Sequence, residues 1–516
     1  MMADQILKHK FLHTGVQLWM SGFVFGSLIC MTSSCRVSKS PQEIITQKFS
    51  AAALQQDVIL LRKILESNHP GLYTYTPKDS MDAYFDATLQ SITDSLTEYQ
   101  FKNKLAWLVS HIRCGHTSVA GSKAYQEAAQ QIKQRQFPLL IKAWKDSLVV
   151  INNLRRHDSI FKRGTIITSI NGLSNTQLLD SMFRFISTDG YNDNFKDQVS
   201  SFNFPAYYKN AFGLTDSFTI GYIDTSGKNT YAVIPVFNPL TDTISRPNTM
   251  VAGALPPKPS RKQLKELKKQ ARRNLSIDSA TSTAYMQLNT FSGSGLRSFF
   301  RHSFQQLKDS GTKNLVIDLR LNGGGSINIS TLLAKYISDH PFTIADTIVA
   351  KTKSLPYSQY IHPSFIYWLS MQFFARKKED GWYHFSYYEK HTYQPKTNHH
   401  FDGDVYFIQG GYTFSASCLL LSVVKGQHNI TLAGEETGGG GYSNNAVHLP
   451  TIRLPNTGVQ VVLPLYRMVL HNTGAAPGRG IAPDILIEPT SAAIQKGVDI
   501  KLDRVKEIIQ SRRKLM

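Results

Sequence analysis

Two stretches in the second half of the chain share one grammar, and together they restrict the fold more than any other feature. Asn314 to Leu319 is an apolar run of strand length; it leads through Arg320-Leu321-Asn322-Gly323-Gly324-Gly325 into a helix-like pattern, Ile327 to Ile337. Val405 to Ile408 is a second strand-like run, and it leads through Gly410-Gly411-Tyr412-Thr413-Phe414-Ser415 into an apolar helix pattern, Ala416 to Lys425, stopped by Gly426. Strand–loop–helix units of this kind predict an α/β fold with a parallel sheet, both loops lying at the carboxyl ends of their strands. That edge is where open α/β sheets bind ligands.

The loops carry chemistry suited to that edge. Ser415 falls where a strand hands over to a helix N-terminus, a place whose free N–H groups and dipole favour developing negative charge. An acyl-transfer serine needs such surroundings because its tetrahedral intermediate is an oxyanion. Capping the helix is the alternative role for a serine there. Gly323, Gly324 and Gly325 let backbone N–H groups face the crevice without side chains in the way. A phosphate-binding GxxxxGK[ST] is absent and a dinucleotide fingerprint fails at Asn328, although Asp346 lies at about the right distance for a ribose contact. The glycines suit an oxyanion hole better.

Four motifs in order, DLRLNGGGS (Asp318 to Ser326), TFSAS (Thr413 to Ser417), AGEETGGG (Ala433 to Gly440) and GRGIAPDI (Gly478 to Ile485), resemble the C-terminal processing peptidase superfamily of tail-specific proteases. CGHT (Cys114 to Thr117) resembles the histidine motif of its tricorn-type branch, and Asn68 to Tyr73 that branch's N-terminal helical region. The resemblance implies a crotonase-like catalytic domain of stacked ββα units with Ser415 as nucleophile, His116 as base, and the N–H groups of Ala416 and Gly325, or Gly324, as oxyanion hole. It also marks two departures. The lysine of the serine–lysine branch is replaced by Gly440, and the orienting glutamate of the tricorn-type branch by Pro477, so no third catalytic member is identified. Glu435, Glu436 and Asp484 read as structural.

A chain of 516 residues with 41% hydrophobic content buries sizeable cores in two or three domains. Lys8 and Lys10 before an apolar run, Val16 to Met31, and then Cys35 after small residues, read as a secretory signal with a lipoprotein cleavage site at 1–35. An uncleaved single-span anchor is the alternative. Either places the body outside the cytoplasm, facing the periplasm from the cell envelope. Residues 45–125 are expected as a helical subdomain carrying the base, with His111 a bland structural histidine. Residues 136–245 are expected as a β-rich domain in which Arg163 to Gly172 resembles the signature of PDZ domains, which bind peptides by strand addition. Residues 246–280 read as a basic linker or exposed basic helix, since Lys258 to Arg273 holds eight basic residues and one acid. The catalytic domain is assigned to 281–490 and a C-terminal helix to 491–516.

Of four cysteines, Cys30 and Cys35 lie in the leader; Cys114 and Cys418 imply buried thiols rather than a disulfide framework. The aromatic stretch Tyr357 to Tyr388 is a lid, an apolar pocket or sheet packing. His399 to Asp404 lacks metal-ligand spacing and reads as a turn. No metal or other cofactor is implied. The formal charge of +20 is compatible with an anionic lipid surface, and nucleic acid is not expected. These features predict a serine endopeptidase acting on exported proteins or peptides; the alternative is a degenerate relative that binds peptides or an apolar ligand without cleaving them.

Overall fold

In the computed structural model, which describes residues 39–242, 259–471 and 474–515, the two glycine-loop units stand side by side. Asn314–Asp318 pairs in parallel with Asp404–Gln409, with Asp318 opposite Ile408. Ile430–Gly434 follows in parallel with Gln409 opposite Gly434. Thr283–Leu288 and Ile485–Leu486 extend this parallel block on its two sides, and Arg273–Asp278 closes one edge antiparallel. Because the strand ends are in register, the loops after Asp318, Gln409 and Gly434 open on one edge, as expected of parallel strands with apolar middles covered on both faces.

Both faces of this sheet are covered. Phe407, Val405, Ile317 and Leu315 belong to the main core, with Leu333 and Leu419 from the two loop-following helices. On the other face Val316, Tyr406 and Ile408 pack with Val505 and Ile509 of the helix Ile500–Leu515. The alternation follows from the period of two along a strand.

Two expected boundaries are corrected. The helices Ala51–Asn68, Lys78–Gln90 and Glu98–Ser110 form as read, but they do not make a separate subdomain at 45–125: Leu61, Phe85, Phe101 and Leu105 lie in the same core as the catalytic sheet. Strand Val119–Ala120 also pairs with Gln460–Val462. Residues 136–245 have their own core, built on a sheet of Leu139–Trp144, Ser147–Asn153, Ile166–Ile170, Ser217–Ile223 and Asn229–Pro235, on which the helices Asn175–Phe183, Asp193–Phe202 and Phe204–Phe212 pack. The linker assigned to 246–280 is shorter than expected. Arg261–Gln270 is an exposed helix, and Arg273–Asp278 is already a strand of the catalytic sheet, its apolar residues alternating toward the core.

Cys35 and the leader at 1–35, with 246–258 of the linker, lie outside the described residues. Among the described residues no helix is long and apolar enough to cross a membrane, and no group of three or more His, Cys, Asp or Glu is placed to hold a metal. The aromatic stretch is not sheet packing throughout: in the helix Ser364–Phe374 only Met371 is buried, while Phe365, Ile366, Phe373 and Phe374 face outward.

Candidate active site

Ser415 stands at the junction the sequence indicated, but not as a cap. It precedes the helix Ala416–Val424 with φ 55° and ψ −119°, and its side chain makes no capping hydrogen bond. A non-glycine residue in this region of backbone space costs about 1–3 kcal/mol and persists only where its surroundings fix it. Here they do. Thr413 Oγ1 donates to the Leu319 carbonyl at 2.9 Å and accepts from the Gly410 N–H at 3.0 Å. Phe414 N–H donates to the Asn322 carbonyl at 3.1 Å, and Ser417 Oγ to the same oxygen at 3.1 Å. Gly439 N–H holds the Thr413 carbonyl at 3.1 Å. The nucleophile loop is thus bolted to the glycine loop beneath it.

The glycines are required by that closeness. A Cβ on Gly324 would come within 2.8 Å of Ser415 Cβ and 3.0 Å of the Ala416 nitrogen. Gly324 and Gly325 also hold positive φ, 99° and 140°. Their N–H groups differ in use. Gly324 N–H donates to Asn322 Oδ1 at 2.9 Å, which removes Gly324 from the expected donors. Gly325 N–H and Ala416 N–H donate to no protein acceptor among the described residues.

His116 reaches the same place from the other end of the chain. Its ring lies 5.0 Å from that of Phe414, the neighbour of Ser415, and a Cβ on Gly115 would run into the Phe414 ring. Both ring nitrogens are buried without a hydrogen-bond partner, so no bond to Ser415 Oγ is formed in this structure. Burial lowers the His116 pKa, and the charge of Asp189 opposes that shift. His116 is therefore neutral at pH 7, the state a general base must start from.

Asp189 was not singled out by sequence. It is buried; Oδ1 accepts the Gly115 N–H at 2.8 Å and Oδ2 the Gly440 N–H at 3.1 Å. Burial raises its pKa, while His116 and the two N–H donors hold it down. Its loop packs on the segment where the motif comparison leaves Pro477 instead of an acid: Gly190 lies against Gly478, and Tyr191 N–H donates to the Gly478 carbonyl at 2.9 Å. Gly440, which stands in the lysine position of the other branch, spends its N–H on this same carboxylate. In the sequence Asp189-Gly190 is an ordinary turn dipeptide, and nothing in it signals a partner 73 residues away at His116.

Residues read as structural are so. Glu435 pairs with Lys501, Glu436 with Arg479 and the Gly480 N–H, and Asp484 with the Leu432 N–H. His111 bonds the Trp107 carbonyl at 2.8 Å and packs on Tyr84, and His400 bonds Asp402 within a turn at 2.7 Å. Asp346, the ribose-contact candidate, pairs with His471. Cys114 and Cys418 are free and buried, each thiol pushed up to about 12 by burial.

The chain is similar to known proteins in part of its sequence and in its fold. Residues 282–487 match the model of peptidase family S41. The fold is similar to that of mature CPAF complexed with lactacystin, at 12% identity over 90% of this chain and 99% of that one, with a TM-score of 0.61. Mature CPAF matches at 13% identity over 89% and 97%, TM-score 0.61. A putative peptidase from Parabacteroides merdae matches at 13% identity over 89% and 97%, TM-score 0.44. No curated protein sequence matches the chain. The family model spans the parallel strands, both glycine loops and Ser415, and this similarity to peptidase family S41 over residues 282–487 supports a serine-type peptidase of the C-terminal processing peptidase type.

Proposed function

We propose that Ser415 is the nucleophile, His116 the general base and Asp189 the group that stabilises the charged imidazole, with Gly325 and Ala416 N–H as the oxyanion hole. The observation that carries this reading is the strained Ser415, whose hydroxyl caps nothing while two unspent N–H groups lie beside it. Attack of Ser415 Oγ on a peptide carbonyl passes its proton to His116; the carbonyl oxygen becomes an oxyanion held by the two N–H groups; His116 returns the proton to the leaving amine. Water then repeats the sequence on the acyl-enzyme. Asp189 touches His116 through space rather than by a hydrogen bond, so its contribution is electrostatic. The Ser415–His116 contact closes when substrate binds, as catalytic hydrogen bonds in free enzymes often do. Replacing Ser415 by Ala should abolish both peptide cleavage and labelling by a fluorophosphonate. Cleavage at the wild-type rate would remove the assignment.

The unpartnered imidazole also favours a second reading, in which the chain binds peptides without cleaving them. Absence of fluorophosphonate labelling on the wild-type chain would select that reading. At the level of folds, we read the catalytic part as crotonase-like and the separately cored sheet at 139–235 as a PDZ-like module that presents peptide to Ser415. The substrates are then exported proteins or peptides. The leader pattern supports a lipoprotein anchored through Cys35 and facing the periplasm. Metabolic labelling with a radioactive fatty acid should mark the wild type and not Cys35→Ser; equal labelling of both would exclude this anchor.

A further inference from the structure

The segment that carries Gly325 is bound on one side to Ser415 and on the other to the loop Thr290–Gly295. Phe291 N–H donates to the Gly324 carbonyl at 2.9 Å, Ser326 N–H to the Phe291 carbonyl at 3.2 Å, and Thr290 Oγ1 to the Gly324 carbonyl at 3.3 Å. The other side of this loop walls a cavity of about 550 Å³ whose opposite wall is the basic helix Arg261–Gln270 and the residues after it. Arg261, Lys265, Lys268, Lys269, Arg272 and Arg273 line it, and no carboxylate does. The nearest acid in the helix, Glu266, faces Lys269 at 3.2 Å. Arg273 Nε is buried and has no acceptor among the described residues. Gly295, at φ 78°, lets the Arg273 guanidinium close on the loop: a Cβ there would lie 2.9 Å from Arg273 Nη2.

A cavity lined by six cations and no carboxylate, with only Lys269 paired to an acid in its helix, attracts anions over neutral groups. Ser292 lies against Gly325 and also lines the cavity, so an extended peptide lying along Gly325 passes beside it. We propose that this cavity is a substrate subsite for acidic side chains, which makes the enzyme select acidic peptide segments near the scissile bond. The proposal rests on Ser415 as nucleophile. The concavity and the shared loop favour a peptide over a lipid surface, which a flat exposed helix would suit as well.

The test separates the subsite from the chemistry. Full-length Ser415→Ala protein is titrated by fluorescence anisotropy with two labelled decapeptides, one rich in Glu and its Gln counterpart. The Glu peptide should bind at least about tenfold tighter at low ionic strength, with the difference shrinking at high salt. The triple variant Lys265→Glu, Lys268→Glu, Arg272→Glu, checked for an unchanged circular dichroism spectrum, should lose the preference, whereas Lys377→Glu on the exposed surface should keep it. Equal binding of the two peptides, or a preference untouched by the triple variant, overturns the proposal. Loss of binding to phosphatidylglycerol vesicles without any change in peptide preference overturns it in favour of a membrane contact. Failure of the nucleophile assignment shows separately, as missing fluorophosphonate labelling of the wild type.

Discussion

The loop that holds Ser415 and the loop that holds His116 are built in opposite ways. Around Ser415, Thr413, Phe414, Ser417 and Gly439 fix the backbone with hydrogen bonds to the glycine loop and its neighbours, so the proposed nucleophile is set by local geometry. Around His116 the ring has no partner at either nitrogen, and its loop is anchored through the Gly115 N–H on a buried carboxylate. The difference teaches that strain can be held by a dense backbone network, whereas the proposed base feels a charge delivered by a distant segment.

The largest effect should come from removing that charge. Asp189→Asn keeps the shape but withdraws the counter-charge of the imidazolium, and kcat should fall about tenfold to a hundredfold. Its pH profile carries the sign. The base works when neutral, so activity rises with pH through the His116 pKa, which burial already places below the ordinary value; without the Asp189 charge that limb moves to still lower pH. An unshifted limb would make Asp189 merely structural. A smaller effect is expected from Thr413→Val, which takes the acceptor from the buried Gly410 N–H and should cost about 1–3 kcal/mol in denaturant unfolding. No loss of stability would mean that the serine loop is not held as described. The smallest effect should be on the two thiols. Cys114 and Cys418, each pushed up to about 12, should both resist a maleimide at pH 8 in the folded protein. Modification of Cys114 alone would show that the histidine loop opens while the serine loop does not.

Much of this was legible in advance because it is local. The run Asn314 to Leu319 and the run Val405 to Ile408 are strands wherever they occur in a buried sheet, and their glycine loops follow at fixed spacing. The limits of legibility are equally physical. The N-terminal helices look self-contained by periodicity, but periodicity shows which face is apolar and not what covers it. The same holds for Arg273 to Asp278, which hides its strand behind a run of positive charge.

The sequence by itself determined the parallel sheet, the serine at the strand–helix junction and the pool of glycine N–H donors, because each rests on neighbours within a few residues. Only the tertiary structure decided which glycine still has a free N–H, that Asp189 stands where Pro477 leaves no acid, and that six cations wall a cavity beside the loop that lies against Gly325. Those facts depend on which distant segments meet, and hydrogen bonds and charges act across space, not along the chain.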